Sequence, residues 1–358
     1  MNLIKNREQF KALLKEMAEH TYDPEVRKAM AQAIQVPILQ LVKDGSLARQ
    51  LFAVEVLEPG AQAAYPLADD FDVPVFILPK VGAVPRNYIE PAGEEIVVPT
   101  FRLATACEWS LRFAREGRIN IAERAMRNAA RALVDYEEES AWRLLAPAAT
   151  SEFQGKGLLP SRPAPITEIT GGPAAGFFSK ELLNQMIVKM KRTRRTLTDL
   201  YVSPEDMADQ REWGESQVDP TTRREIFVSG GMGNIWGVNF HEVQQLGMSG
   251  RYNINSADST GGLFRVGSGG SFNDYTPTDA NKVDSNLNVI DAGETQIYGF
   301  DLTANDSLVM PIREELRMFD DSQNLHREQL QGFYGWQEIG LAVLDTRMIQ
   351  MGVINRAP

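Results

Sequence analysis

The chain has 358 residues, 43% hydrophobic and 24% charged, ordinary proportions for a globular protein and enough length for two or three regions with cores of their own. Its formal charge of −11 excludes a protein that coats itself in nucleic acid, which takes a basic surface, but not one that encloses nucleic acid at arm's length. One cysteine, Cys107, excludes an internal disulfide framework, one Cys with three His argues against structural zinc, and no apolar leader or membrane-length run is present, so the expectation is a cytoplasmic chain with no membrane partner.

In chain order, residues 7–19 place Phe10, Leu13, Leu14 and Met17 at i, i+3, i+4 and i+7, an amphipathic helix with little of its own to pack on. Asp23-Pro24-Glu25 predicts a second helix, with Asp at the cap and Pro at its first position; Pro37 predicts an interruption, and Gly45 ends the apolar run. This opening arm either docks on something larger, such as another copy of the chain, or folds onto its own domain.

Residues 50–106 are rich in strand formers (Val54, Val56, Val73, Val75, Ile77, Ile96, Val97, Val98) and studded with prolines. Two runs, Pro74 to Lys80 and Glu95 to Phe101, flank turns around Pro85-Arg86-Asn87-Tyr88 and Pro91-Ala92-Gly93, which predicts a long two-stranded ribbon. Proline confines such strands to edges, and an isolated hairpin is marginal in water, so the ribbon needs a partner surface, either another copy of the chain or, as the alternative, its own core.

The stretch from Asn120 to Ala146 predicts a long helix. Asn120 with Glu123 forms a capping-box pair, Pro147 forbids continuation, and at about 1.5 Å per residue the rod is roughly 39 Å long. Ile121, Ala122, Ala125, Met126, Ala129, Ala132, Leu133 and Tyr136 share one face; Glu123, Arg124, Arg127, Asn128, Arg131, Asp135 and Glu138 lie opposite, with Glu123–Arg127 in the favourable i,i+4 order. Four alanines let another backbone approach closely, as for a beam laid across a sheet.

Pro147 to Gly176 reads as a domain crossing. Ser179 then caps a helix with Leu182, Leu183, Met186, Ile187 and Met190 inward. Thr198 to Val202 is a strand, Ser203-Pro204-Glu205-Asp206 a strong helix start, and Trp236 to Val243 another strand. Ser256 to Gly293 reads as an extended surface loop or a weak hairpin, and strand patches return at Ile297 to Leu302, Leu308 to Leu316 and Ile339 to Leu344.

Chemical motifs fail one by one. His241-Glu242 lacks a second histidine at Gln245; Asp284, Asn286 and Asn288 match a calcium loop, but Val289 and Thr295 replace its glycine and glutamate. Gly247-Met248-Ser249-Gly250-Arg251 misses a nucleophile elbow, and Trp236 occupies the third glycine slot after Gly231 and Gly233. Histidines at 20, 241 and 326 form no acid–base set, so no catalytic residue, metal ligand or cofactor site is assigned. Lys189, Lys191, Arg192, Arg194 and Arg195 are a candidate phosphate contact, or simply cations gathered at a helix C-terminus.

Together, the run Pro74-Val75-Phe76-Ile77-Leu78-Pro79-Lys80 through Val98-Pro99-Thr100-Phe101, then Phe113-Ala114-Arg115-Glu116-Gly117-Arg118, Tyr201 to Met207, Thr222-Arg223-Arg224-Glu225-Ile226, Met310 to Glu315 and Gly332-Phe333-Tyr334-Gly335-Trp336-Gln337 resemble a tailed-bacteriophage major capsid protein of the Hong Kong 97 type. The resemblance spans about residues 50 to 358 and implies an α+β capsid fold with a long spine helix. It divides the chain into an N-terminal arm (1–49), an extended β-hairpin loop (50–106), the spine helix of a peripheral domain (107–157), an axial domain (158–305) and a returning peripheral segment (306–358).

The resemblance also implies a structural, non-enzymatic protein that forms hexamers and pentamers of an icosahedral head around double-stranded DNA. Its partners would be sister copies, a portal, scaffolding or decoration proteins, and DNA held non-specifically; its location would be the virion, assembled in the host bacterial cytoplasm. Lys80, Arg86, Tyr88, Glu94 and Glu95 would contact a neighbouring subunit. Some members cross-link Lys to Asn from this loop; Lys80 is the only lysine between residues 44 and 155, and no acceptor or catalytic-acid motif accompanies it. A nanocompartment shell is the alternative within the fold, and a soluble enzyme with a site in loop 230–295 the alternative outside it.

Overall fold

The computed structural model describes residues 12, 24–58, 60–66, 95–116, 119–149, 166–167, 176–213, 234–248, 250, 252–253, 294–303, 307–321, 325 and 328–356. In chain order these form α1 (Pro24–Gly45), α2 (Ala48–Leu51), β1 (Ala53–Val56), β2 (Ala64–Pro66), β3 (Glu95–Val97), β4 (Thr100–Ser110), α3 (Leu111–Arg115), α4 (Ile119–Ala148), β5 (Ile166–Thr167), α5 (Lys180–Arg192), β6 (Asp199–Val202) and α6 (Pro204–Arg211). There follow β7 (Asn234–Ile235), β8 (Val238–Glu242), β9 (Glu294–Phe300), β10 (Leu308–Asp320), β11 (Leu330–Gly340), β12 (Ala342–Val343) and β13 (Ile349–Asn355). The chain divides into two compact units, one of residues 1–63, 97–141 and 308–342, the other of 64–96, 142–307 and 343–358.

The first unit is built on a sheet in the order β1-β10-β11-β4, with β1 parallel to β10 and the other pairs antiparallel. Strand β4 pairs residue for residue with β11, from Leu330 opposite Ser110 to Gly340 opposite Thr100. Side chains alternate between faces along a strand. Leu103, Cys107 and Trp109 are buried on one face with Phe333, Gln337 and Ile339, whereas Arg102, Ala104, Ala106 and Glu108 are exposed on the other. On the buried side the Trp109 indole donates to Gln331 Oε1 at 2.9 Å.

Helix α1 begins at Pro24, as expected, but runs through Pro37 to Gly45. Met30, Ile34, Ile38 and Val42, one turn apart across the proline, are fully buried, and that continuous apolar stripe offsets the hydrogen bond the proline removes. Ion pairs from Arg27 to Asp320 and Lys43 to Glu315 tie it to β10. Residues 24–49 of the expected arm thus pack on their own unit; residues 7–19 lie outside the described set, Ala12 apart.

Helix α4 is longer than expected at both ends. It starts at Ile119, so Asn120 lies inside the first turn rather than capping it, and it continues to Ala148 with Ala149 N–H still donating to Leu145 O. A proline in a last turn has a helix-compatible φ and removes only one donor, so Pro147 does not end the helix at Ala146. Its buried stripe is Ala122, Met126, Ala129, Ala130 and Leu133, then Glu137; Tyr136 and Ala132 are exposed, and Glu123, expected on the polar face, is buried while pairing with Arg127 at 3.7 Å.

Glu137 can sit in the core because every lone pair of its carboxylate meets a donor. Arg49 Nη2 and Nε approach Oε1 and Oε2 at 2.7 and 3.0 Å, Ser46 Oγ donates to Oε2 at 2.9 Å, and Gln337 Nε2 donates to Oε1 at 2.5 Å. The front segment, α4 and β11 are thereby joined at one point. On the opposite sheet face, Glu338 accepts from Thr100 Oγ1 (2.6 Å), Arg102 Nε (3.1 Å) and Arg313 Nη1 (3.3 Å), and these donors, the Thr100 hydroxyl first, hold its carboxyl below the ordinary range.

The second unit centres on a sheet in the order β5-β13-β9-β6-β8-β7. Strand β13, not anticipated from sequence, is buried on both faces from Ile349 to Ile354, and the segment 306–358, expected as one piece, is divided after residue 342, with 343–358 in this unit. Helix α5 lies on the sheet with Leu182, Leu183, Met186 and Met190 buried and Ser179 Oγ accepting from Leu182 N–H, all as expected. It approaches closely because Gly299 and Gly352 lie beneath it: a Cβ on Gly299 would come within 2.4 Å of Leu197 Cδ1, and one on Gly352 within 3.0 Å of Met186 Sδ. Helix α6 carries the expected Ser203–Asp206 capping box, and Arg356 near the chain's end pairs with both Asp206 and Asp209. Trp142, in the last turns of α4, is enclosed by Tyr201, Tyr252 and Tyr298, with ring centroids 5.0–6.4 Å apart.

Removing one partner of a buried ion pair strands the other and costs about 3–5 kcal/mol, whereas replacing both can be neutral. Glu137→Leu should lower the unfolding free energy by about that amount, and adding Arg49→Met should recover most of it in denaturant melts; a single variant as stable as wild type contradicts the account. Because the folded pKa of Glu338 is depressed, its contribution is present above the ordinary carboxyl value of about 4.3 and is lost as pH falls through the folded value. Glu338→Gln should therefore be less stable than wild type at neutral pH and converge on it as pH drops below about 4; a gap that widens on acidification contradicts this.

Candidate assembly surfaces

Of the residues expected to reach a neighbour, Glu95 is exposed and opens β3, which pairs with β2; Lys80, Arg86, Tyr88 and Glu94 lie outside the described residues, as do Pro74 to Lys80 and loop 256–293. Strands β1 and β4 belong to the first unit's sheet, so within 50–106 the part outside that sheet runs from 57 to 99. Strand β1 ends the order of that sheet, and Val54 and Val56 are exposed on it.

The uncovered face of the first unit's sheet carries two features not foreseen from sequence. Phe319, Trp336 and Tyr334 stack in a row, at 4.5 Å from Phe319 to Trp336 and 5.6 Å from Trp336 to Tyr334, and Tyr334 is exposed. A groove of about 520 Å³ is lined by Thr100, Arg102, Arg313, Glu314, Arg317 and Glu338. Trp336 Nε1 donates to Glu314 Oε2 at 3.2 Å, which makes rings and charges one surface. The alternation Arg102-Leu103-Ala104-Thr105-Ala106-Cys107-Glu108-Trp109 is the signal that could have shown which face stays open.

In the second unit, Lys189, Lys191 and Arg192 occupy the last turn of α5. Arg195 N–H donates to Met190 O and Arg194 N–H to Lys191 O, a Schellman cap in which Arg194 takes the positive φ (61°) usually given to glycine. Lys191, Arg192 and Arg194 are exposed, Arg195 pairs with Asp345, and burial, helped by Arg192, lowers the Lys189 pKa. The candidate phosphate residues are thus brought to one helix end, where Arg195 is held by Asp345.

The hairpin β7–β8 turns through Trp236 (φ 52°) and Gly237 (φ 83°), the pair of positive φ values that a type I′ turn requires. A bulky residue in this region is an outlier that costs on the order of 1–3 kcal/mol. Trp236 nevertheless stands 59% exposed.

Burial pushes the Cys107 thiol up to about 12, with Glu108 adding to it, so this thiol is protonated and enclosed. His241 Nε2 lies 2.8 Å from Asp199 Oδ1 with its ring stacked on Tyr201, whose phenol is raised by burial and by Asp199. Among the described residues no group of three or more His, Cys, Asp or Glu is placed to hold a metal ion, and no helix is long and apolar enough to cross a membrane.

Sequence comparison finds no matching family model and no matching curated protein. Comparison of the fold is informative. The chain is similar to the mature capsid of bacteriophage PhiM1, at 14% identity over 87% of this chain and 88% of that one, with a TM-score of 0.52. It is similar to the capsid of cyanophage P-SCSP1u at 13% identity over 86% and 87%, TM-score 0.52, and to a chain of Microbacterium phage Oxtober96 at 10% identity over 87% and 90%, TM-score 0.50. This chain has the Hong Kong 97-type capsid fold of tailed-phage major capsid proteins.

Proposed function

We propose that this chain is the major capsid protein of a bacteriophage, copies of which close hexamers and pentamers into an icosahedral head around double-stranded DNA. The observation that carries the reading is the match of 86–87% of the chain to phage capsid structures. In this reading the first unit is the peripheral domain, the second the axial domain, and 57–99 the extended loop that brings Lys80, Arg86, Tyr88, Glu94 and Glu95 onto a neighbouring copy. Its place is the virion, after assembly in the host cytoplasm, with a portal and scaffolding or decoration proteins as further partners.

Physical features support it. The aromatic row with its exposed Tyr334, the charged groove and the β1 edge are several modest surfaces on one subunit, and closed symmetry multiplies modest interfaces. A charge of −11 suits a container that must hold a polyanion without gluing to it, while Lys191, Arg192 and Arg194 supply a few non-specific phosphate contacts.

Deleting residues 81–94 should leave a folded chain that fails to form stable shells; wild-type-like particles in electron micrographs of the variant would count against the loop's role. Arg194→Gly places glycine where φ is positive, so thermal stability should hold or rise, while the slope of log affinity for DNA against log salt should fall by about one. An unchanged salt slope would remove Arg194 from the phosphate contact.

A further inference from the structure

We propose that Trp236 is a preformed anchor that is buried in a second copy of this chain when subunits associate, an inference that rests on the self-assembling shell reading above. Three observations carry it. The turn holds a bulky residue at φ 52° where asparagine or glycine would sit without strain, yet Trp236 is 59% exposed and so recovers little of that strain by packing at home.

The tip is also locked before any contact. Asn234 Oδ1 accepts from Gly237 N–H at 3.0 Å, Asn234 Nδ2 donates to Asn239 Oδ1 at 2.9 Å, and Ile235 pairs with Val238. Val238 is buried, and Ile235 and Phe240 pack on the second unit's core, so the hairpin's other apolar side chains hold its base while the indole projects. A rigid, exposed tryptophan loses little entropy on binding and is the side chain most enriched at interface hot spots.

The occupant follows from charge and area. Residues 234–240 of this hairpin contain no Asp, Glu, Lys or Arg in a chain of net charge −11, so two copies can meet at this tip without the repulsion that their acidic surfaces impose elsewhere. One indole covers roughly 150–250 Å², far below the ~1,200 Å² that a stable pairwise complex needs. Such an anchor works where other surfaces of the same two molecules are already engaged, as between repeated copies, and not for a monomeric stranger held by the tip alone.

The test compares full-length wild type, Trp236→Asn and Trp236→Phe, reading subunit stability by thermal melts and the threshold concentration for association by sedimentation velocity. Trp236→Asn should melt at or above wild type, because asparagine suits the turn, while its threshold rises roughly tenfold or more; Trp236→Phe should recover part of the loss. An Asn variant that associates at the wild-type threshold overturns the anchor. If wild type forms only small rings or dimers and these weaken in the Asn variant, the anchor stands and the closed-shell reading fails. Fluorescence quenching of wild type but not of Trp236→Phe by an oligothymidylate, with association thresholds unchanged between the variants, would assign the indole to nucleic-acid stacking and overturn the proposal.

Discussion

The buried carboxylate of Glu137 is the constraint on which the first unit depends. A charge at 0% side-chain exposure is tolerable only when its lone pairs are filled, and the donors come from Ser46, Arg49 and Gln337, residues 91, 88 and 200 positions away in the chain. A register shift of one residue in β11 would turn Gln337 to the other face and leave Glu137 short of a partner. The network therefore specifies how the front segment, the long helix and the returning strands come together, beyond what apolar burial alone would select. In the second unit Arg356 does comparable work, joining the end of the chain to the capped start of α6 through Asp206 and Asp209.

Local signals were legible where their physics is local. The Ser179 cap, the Ser203–Asp206 capping box and the inward face of α5 depend on residues within a few positions, and each was readable from spacing. The long helix was also visible, but its stripe was misplaced at Tyr136, and the buried Glu137 beside it was not assigned, because a glutamate turns inward only for partners that local spacing does not show. Those partners are distant in sequence. Pro37 was misjudged for a related reason: a proline's local cost is fixed, while the burial that offsets it depends on a sheet assembled from residues near 310–320. Strand β13 was hidden because a strand buried on both faces shows no alternation.

The surfaces that bear on assembly were the least legible. The aromatic row Phe319–Trp336–Tyr334 needs the pairing of β10 with β11 before its members become neighbours. Trp236 and Arg194 are unusual for their backbone conformation rather than their identity, and sequence alone does not disclose a positive φ at a bulky residue. Both stand exposed, and both occupy positions where a smaller residue would stabilise the isolated subunit. That pattern fits a chain whose strained positions serve contacts made with other molecules.

The front segment, by contrast, rests on its own unit from residue 24 onward, so in the proposed shell it is the loop and the open faces that are left to meet sister copies. Electron microscopy of the purified, concentrated wild-type chain tests that dependence most directly. The account predicts closed particles of uniform diameter with fivefold vertices. A monodisperse monomer at every protein and salt concentration would contradict it.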